Sequence, residues 1–459
     1  MSIICATIRK YAMLTPYSHA IYFDGVLPST KLEVRKQRLH QIMAQLAVKK
    51  DAMKAHRDDS KKMPAPPFLV PVVLESLLDS RFGNLVTVVP AEADTYCAEE
   101  AATYEAQTGR MATILTNDSD LLVQASGALT RIMFLTGLRR SGAPGLLRVE
   151  ANVFFPAKLA ASVGLDNLLL PAFLMSKDRH LSFDAAVAKA KKSTLYNDTD
   201  FLAFQREFQK PKYDISELPS TVIETLQRMD PRIAELAHQT MPTFPHCSPQ
   251  PANMFLVPLI EDVGRQSAWV AGQNFRNAAY RMTLSGSRNV HRVDEYTRRG
   301  TTCYPDMHHA GLGWKQDLLD SAKMLSGVRE FLVAHRATAV QRFNYIAMYY
   351  VVLALAQRSR QLSRLEITRI LAGERLRTRE EMHASAMCQA AIYSLRILKQ
   401  LLALEKAKGI MDECLQPLVD ELEEMPALAE LCEKTPADTA DLWRELAQGL
   451  LDTVVEESE

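Results

Sequence analysis

The feature that most constrains the fold is an alternation in the first third of the chain, where short apolar runs of strand character are followed by stretches of helical spacing. SHAIYFDG, residues 18–25, reads as a buried strand whose exit turn is Asp24 and Gly25. Residues 31–50 place Leu32, Val34, Leu39, Ile42, Met43 and Leu46 at largely helical spacing, a helix with a basic outer face. FLVPVVLESLLDS, 68–80, reads as a second helix, with Pro71 tolerable in its first turn. Next come NLVTVV as a strand, AEADTYCAEEAATYEAQ as a helix, and RMATILT and LTRIMFLTGL as further strands. Strands alternating with helices predict a mainly parallel sheet. Ligands of such sheets sit beyond the carboxyl ends of the strands.

Acidic residues gather at that edge. VPAEADTYCAEEA, 89–101, and TNDSDLLV, 116–123, each put two carboxylates, Glu92 with Asp94 and Asp118 with Asp120, just after a strand-like run, and Asp24 ends another. Five like charges on one edge repel and raise some pKa values unless cations share the site. Hard divalent cations suit such oxygen ligands, Mg²⁺ first among them, bound by carboxylates together with a substrate's phosphates. Two such ions serve phosphodiester hydrolysis by activating water and stabilising the leaving oxygen. The plainer alternative is that acids at strand ends form turns and cap helices, TNDSD capping the helix or turn next in the chain. Either pair alone favours capping; both pairs with Asp24 beside a matching sheet favour metal.

YFDG, then VPAEADTYCA, then LTNDSDLLV, in that order and at these intervals, resemble the XPG/flap-endonuclease superfamily of PIN-like nucleases. YFDGVLPSTKLEVRKQRL and APPFLVPVVLESLLDS look most like its asteroid-type branch, and the resemblance covers roughly residues 18–190. It implies that Glu92, Asp94 and Asp118 are metal ligands or their close supports, with Asp24 and Asp120 completing the cluster. A further family acid falls on Asp178, although the small residues that precede it in flap enzymes are Ser176 and Lys177 here. Lys31 and Arg38 stand where flap-type enzymes place cations that grip the scissile phosphate, a clamp suited to transition-state charge.

The chain departs from that family in two places. Members open with a Met-Gly start and a first strand ending in an Asp that completes the metal site, whereas about twenty residues precede Asp24 here and none is acidic. The expectation is a lost upstream strand, with the sheet otherwise patched by MSIICATI and the site weak or inactive; deleting a central strand would expose two ladder edges. Beyond Asp178, SFDAAVAKAKKSTLYNDTD lacks the glycine turn of the helix-turn-helix with which flap enzymes hold duplex DNA.

Length and composition set the outer limits. At 459 residues two or three domains are expected. With 47% hydrophobic and 24% charged residues the chain reads as soluble and globular, and 54 basic against 54 acidic residues points to no partner by net charge. Residues 31–62 nevertheless hold ten Lys or Arg against four Asp or Glu, a basic helix face leading into a Pro-rich loop at 51–67. Seven cysteines, scattered singly and odd in number, fit a reducing compartment. Cys303 with His308 and His309 lacks a second ligand pair at zinc-site spacing, and reads as polar loop. The opening MSIICATIRKYAML is too soon interrupted for a secretory signal. YIAMYYVVLALA, 345–356, falls short of the roughly 20 residues of a membrane span and reads as a buried helix.

The rest of the chain is less informative. VDEYTRRGTTCYP, 293–305, sets Arg298 and Arg299 beside Tyr296, either a stacking and neutralising patch for a nucleic acid strand or a helix end with a basic turn. Residues 312–408 read as nearly all helix, closed by Gly409, with Ile392, Leu395, Leu398 and Leu402 on a core stripe. The acidic tail reads as a terminal helix or a partner-binding segment.

Together these readings predict an α/β PIN-like domain of XPG and flap-endonuclease type with a mainly parallel sheet over 1–200, an irregular connecting region over 201–310, and a mostly α-helical domain over 311–459. The function expected is a Mg²⁺- or Mn²⁺-dependent, two-ion endonuclease cutting DNA with single-stranded parts, in DNA repair in the nucleus, or otherwise cytoplasmic, and not secreted. The alternatives are a ribonuclease, or a degenerate scaffold binding RNA or protein. No membrane is expected as partner, and the helical half offers a surface for a protein partner.

Overall fold

The computed structural model describes residues 20–52, 65–124, 127–141, 148–178, 180–193, 195–209, 215–241, 251–311, 313–358, 360–431 and 440–458. The segment MSIICATI and most of the 51–67 loop lie outside the described residues. The chain forms two compact units: Tyr22–Pro28 with Val89–Lys212 make one, and the other described residues make the second.

The first unit is the smaller. Its helix Ala93–Thr108 turns a small-residue face, Ala98 and Ala101, to Ile114 of strand Thr113–Thr116 and Ile132 of strand Arg131–Phe134. Alanines there let the helix approach closely, and the helix ends at Gly109, whose φ of 64° is the left-handed cap glycine adopts without strain. The two strands pair in parallel, Ile114 opposite Ile132. Strand Val153–Phe154 then pairs antiparallel with Arg131–Phe134, and Arg139–Ser141 forms a hairpin with Arg148–Glu150. The expected parallel order therefore holds for this pair of strands and stops there. After Phe134 the chain returns by a hairpin, with no crossover helix to bring the next strand in parallel. A second cluster, Leu169, Leu170, Phe173, Ala190 and Phe201, packs helices Leu169–Lys177, Phe183–Ala190 and Thr199–Glu207 together.

The second unit gathers parts of the chain that lie far apart in sequence. Helix Leu32–Ala52 packs Leu39 and Met43 on Phe255, Tyr296 and Cys303 of a three-stranded sheet, Ala252–Phe255, Arg292–Arg299 and Thr302–His309. The middle strand runs parallel to the first and antiparallel to the last. Residues 201–310 are thus a folded region with helices Ser220–Arg228, Pro231–Thr240 and Gln273–Ser285 as well as this sheet. Short Pro-flanked helices and one long hairpin give little periodic signal, so the sequence reads as irregular where the structure is ordered.

The segment 293–305 is likewise neither a helix end nor an open basic patch. It is the hairpin, turned at Gly300 with φ 62°. Tyr296 stacks flat on Phe255, centroids 4.3 Å apart, and buried Arg298 donates from Nε to Glu261 at 2.8 Å. Cys303 is a strand residue with a buried thiol, pushed up to about 11 chiefly by burial.

Helices Trp314–Ala334, Ala339–Ala356, Arg364–Leu371 and Arg379–Ala407 come next, as periodicity predicts, and Gly409 lies past the last with φ 70°. Three of them start with capping boxes, Thr338 with Gln341, Ser363 with Glu366 and Thr378 with Glu381. Ile392, Leu395, Leu398 and Leu402 are buried as expected. Among the described residues no helix is long and apolar enough to cross a membrane.

Candidate metal centre

The site begins with a close backbone approach. Phe23 C=O accepts from Val89 N–H at 3.0 Å and Gly25 N–H donates to Ala91 C=O at 2.9 Å, so Asp24 is held beside the turn that opens helix Ala93–Thr108. A Cβ on Gly25 would lie 2.0 Å from the Val89 carbonyl oxygen, so only glycine fits. Asp24 Oδ1 accepts from Ala93 N–H at 2.8 Å, filling the capping role that Glu92, the residue at the helix start, leaves open. The capping reading thus holds for the acid outside the pair.

The other pair is fixed by its own loop. Asp118 N–H donates to Thr116 Oγ1 at 2.9 Å, and Asp118 Oδ1 accepts from Asp120 N–H at 2.9 Å, a side-chain turn at the strand end. Asn117 Oδ1 accepts from Thr136 N–H at 3.0 Å and ties this loop to the end of the neighbouring strand.

These loops set five carboxylates in one electrostatic neighbourhood. Asp94 is half-buried in the first turn of its helix, and burial pushes its carboxyl up to about 7, with Asp118, Asp24, Glu92 and Asp120 each pushing the same way. The charges acting most strongly on it are all carboxylates, and the helix N-terminus does not offset them. The field reaches further: burial, then Asp94 and Asp24, push the Cys97 thiol up to about 12, and burial, then Glu100, Cys97 and Glu99, push Tyr22 up to about 12. Asp24, Asp118 and Asp120 are exposed, so the cluster faces solvent.

Asp178 is placed differently. It ends helix Leu169–Lys177, is exposed, and its Oδ1 accepts from His180 N–H at 3.0 Å; it is not among the charges acting most strongly on Asp94. Lys31 and Arg38 belong to the other compact unit, Arg38 exposed on helix Leu32–Ala52. On that helix Arg35 is engaged, donating to Glu235 at 2.7 Å and lying over the Phe255 ring.

A family described as XPG domain containing matches residues 65–308. The chain belongs to that family. The XPG match takes in Glu92, Asp94, Asp118, Asp120 and Asp178, and starts after Asp24, Lys31 and Arg38. It places the chain with the XPG and PIN-like nucleases, whose function is of nuclease type and whose partner is nucleic acid. Comparison with curated proteins and with solved structures finds no match.

Among the described residues no three His, Cys, Asp or Glu side chains stand close enough to form a closed ligand set for one ion, at the acid edge or at Cys303, His308 and His309. Mg²⁺ does not require one, because it keeps several waters and takes one or two carboxylates with the substrate's phosphates. The donor chemistry of the acid edge fits such an ion, since like charges that raise Asp94 toward neutrality are relieved by a cation.

Two features of the site are invisible to the sequence alone. Asp24 caps a helix 69 residues away in the chain, which no local pattern reveals. Gly25 is fixed by a backbone contact with no sequence signature beyond the glycine itself.

Proposed function

We propose that this chain is a divalent-cation-dependent endonuclease that hydrolyses phosphodiester bonds in DNA with single-stranded parts, at the edge formed by Asp24, Glu92, Asp94, Asp118 and Asp120. The observation that carries the reading is the half-buried Asp94 raised to about 7 among four other carboxylates. Mg²⁺ or Mn²⁺, as two ions, would be held by these acids and would supply charge neutralisation at the phosphate and an activated water. The chain's own part is positioning. Asp24 locks the start of helix Ala93–Thr108, and Asp118 sets the turn that presents Asp120.

In this reading Lys31 and Arg38 grip phosphate, Asp178 is an outlying acid of the cluster, and the chain falls in the asteroid-type branch and serves DNA repair in the nucleus. The lack of a closed three-ligand set among the described residues favours one other reading, a degenerate scaffold that binds RNA or a protein partner, the helical half offering the surface.

The test is cleavage of end-labelled flap, overhang and single-stranded DNA and RNA with Mn²⁺, beside an Asp118→Asn, Asp120→Asn double variant. Cutting by the parent that falls at least about a hundredfold in the variant is the expected result. Nucleic acid binding without cutting would replace the nuclease reading with the scaffold.

A further inference from the structure

A second polar site lies within the larger unit, away from any residue used above for catalysis. A cleft of about 650 Å³ opens between the start of helix Gln273–Ser285 and the hairpin Arg292–His309. Its charges are already satisfied in pairs. Arg276 holds Glu295 through two hydrogen bonds of 2.8 and 2.9 Å, Arg298 holds Glu261, and Arg299 pairs with Asp306. The unsatisfied groups are neutral: among the described residues neither the Asn277 side-chain oxygen nor His308 Nε2 has a hydrogen-bond partner. His308 Nε2 lies 3.9 Å from Glu295, beyond hydrogen-bond reach, and burial holds its imidazole below the usual histidine range, so it is uncharged at neutral pH.

Orphaned polar atoms cost about 1–3 kcal/mol each, so their presence at the wall of a cleft is a reason to look for a ligand that completes them. The terminal torsion of an asparagine is broad, and a turn about it brings the Asn277 carboxamide toward the opening. Gln273, in the first turn of the same helix, adds a second amide, and Val270 adds an apolar wall. With every guanidinium neutralised, bare phosphate gains little, whereas an uncharged group carrying adjacent donors and acceptors gains two or three hydrogen bonds. We propose that this cleft binds a neutral, hydrogen-bonding ring system of nucleoside size, through Asn277, His308 and Gln273. Its source is either a free nucleoside or a base of a single strand.

The experiment is calorimetric titration of the full chain with each of the four ribonucleosides, with a ten-residue single strand, with an abasic strand of the same length, and with inorganic phosphate. Binding of a nucleoside that weakens at least about fivefold in Asn277→Ala supports the site with a free ligand. Binding of the base-bearing strand with the same dependence, and weaker binding of the abasic strand, supports it with a strand as source. If Asn277→Ala does not fold, Gln273→Trp, which fills the mouth from a half-buried position, decides the matter by abolishing that binding. The site is overturned if nothing binds at millimolar concentration, if both variants bind as the parent does, or if phosphate competes equally. The readout is binding alone, so a chain that fails to cleave still answers it.

Discussion

In the larger unit a buried charge meets a partner; in the smaller one half-buried charges meet their own kind. Arg276 and Glu295 are both almost wholly buried and share two hydrogen bonds, with Tyr280 and Ser394 completing the set. Asp230, also buried, accepts from Arg232 N–H at 3.0 Å and from Tyr393 Oη at 2.8 Å. At the acid edge Asp94 instead sits among Asp24, Glu92, Asp118 and Asp120. Buried polar groups are ordinarily satisfied within the fold. A cluster that leaves like charges together is balanced by something from outside, and that contrast points to a cation-dependent site.

The largest expected effect comes from unpairing the satisfied region. Arg276→Leu or Glu295→Leu alone is predicted to destabilise by about 3–5 kcal/mol in urea unfolding, because each strands a buried charge. The double replacement should cost less than the sum of the two. Full additivity would mean that the pair does not act as a unit.

Next is the pH response of the same unit. His238 is buried and burial pushes it down to about 4. A histidine depressed in the folded state stabilises fully above its unfolded value near 6.5 and loses that contribution as pH falls toward 4, up to about 3 kcal/mol. Unfolding measured between about pH 7 and 4 should show this loss, and His238→Gln should flatten it.

Gly25→Ala sharpens the comparison from the other side. The added Cβ would meet the Val89 carbonyl at 2.0 Å, so the loop bearing Asp24 must move. The proposed cleavage should fall about a hundredfold, as displacement of a site by about 1 Å does, while the far-ultraviolet spectrum changes little. Retained cleavage would remove Asp24 from the site.

Asp24→Ala is expected to be the mildest in stability. It loses the cap on Ala93 N–H, about 1 kcal/mol, and it also removes one negative neighbour of Asp94, which shrinks the net loss. A thermal melt without divalent cations reads both.

Legibility in the sequence divides along the same line. Strand-end acids on parallel strands could be read because strand, turn and carboxylate are consecutive in the chain, as in ILTNDSD. The long C-terminal helices could be read because their stripes repeat, Leu395, Leu398 and Leu402 among them. The hairpin could not, because Arg298 and Tyr296 look like an exposed basic patch until Glu261 and Phe255, about 40 residues upstream, are placed against them. Helix Leu32–Ala52 is assigned to the nuclease part by proximity along the chain, but its apolar residues pack on a sheet more than 200 residues later. His40 even seals that sheet's edge, its Nε2 accepting from Cys303 N–H at 3.0 Å. Long-range pairing of this kind has no local period.

The central claim is that Asp94 is held partly protonated by massed carboxylates until a cation arrives. Calorimetric titration of the parent chain with Mg²⁺ at about pH 7, in two buffers of different ionisation enthalpy, measures the proton released per ion bound. A release of about half a proton is expected, absent in Asp94→Asn. Binding with no proton released, or release unchanged in the variant, would contradict the claim.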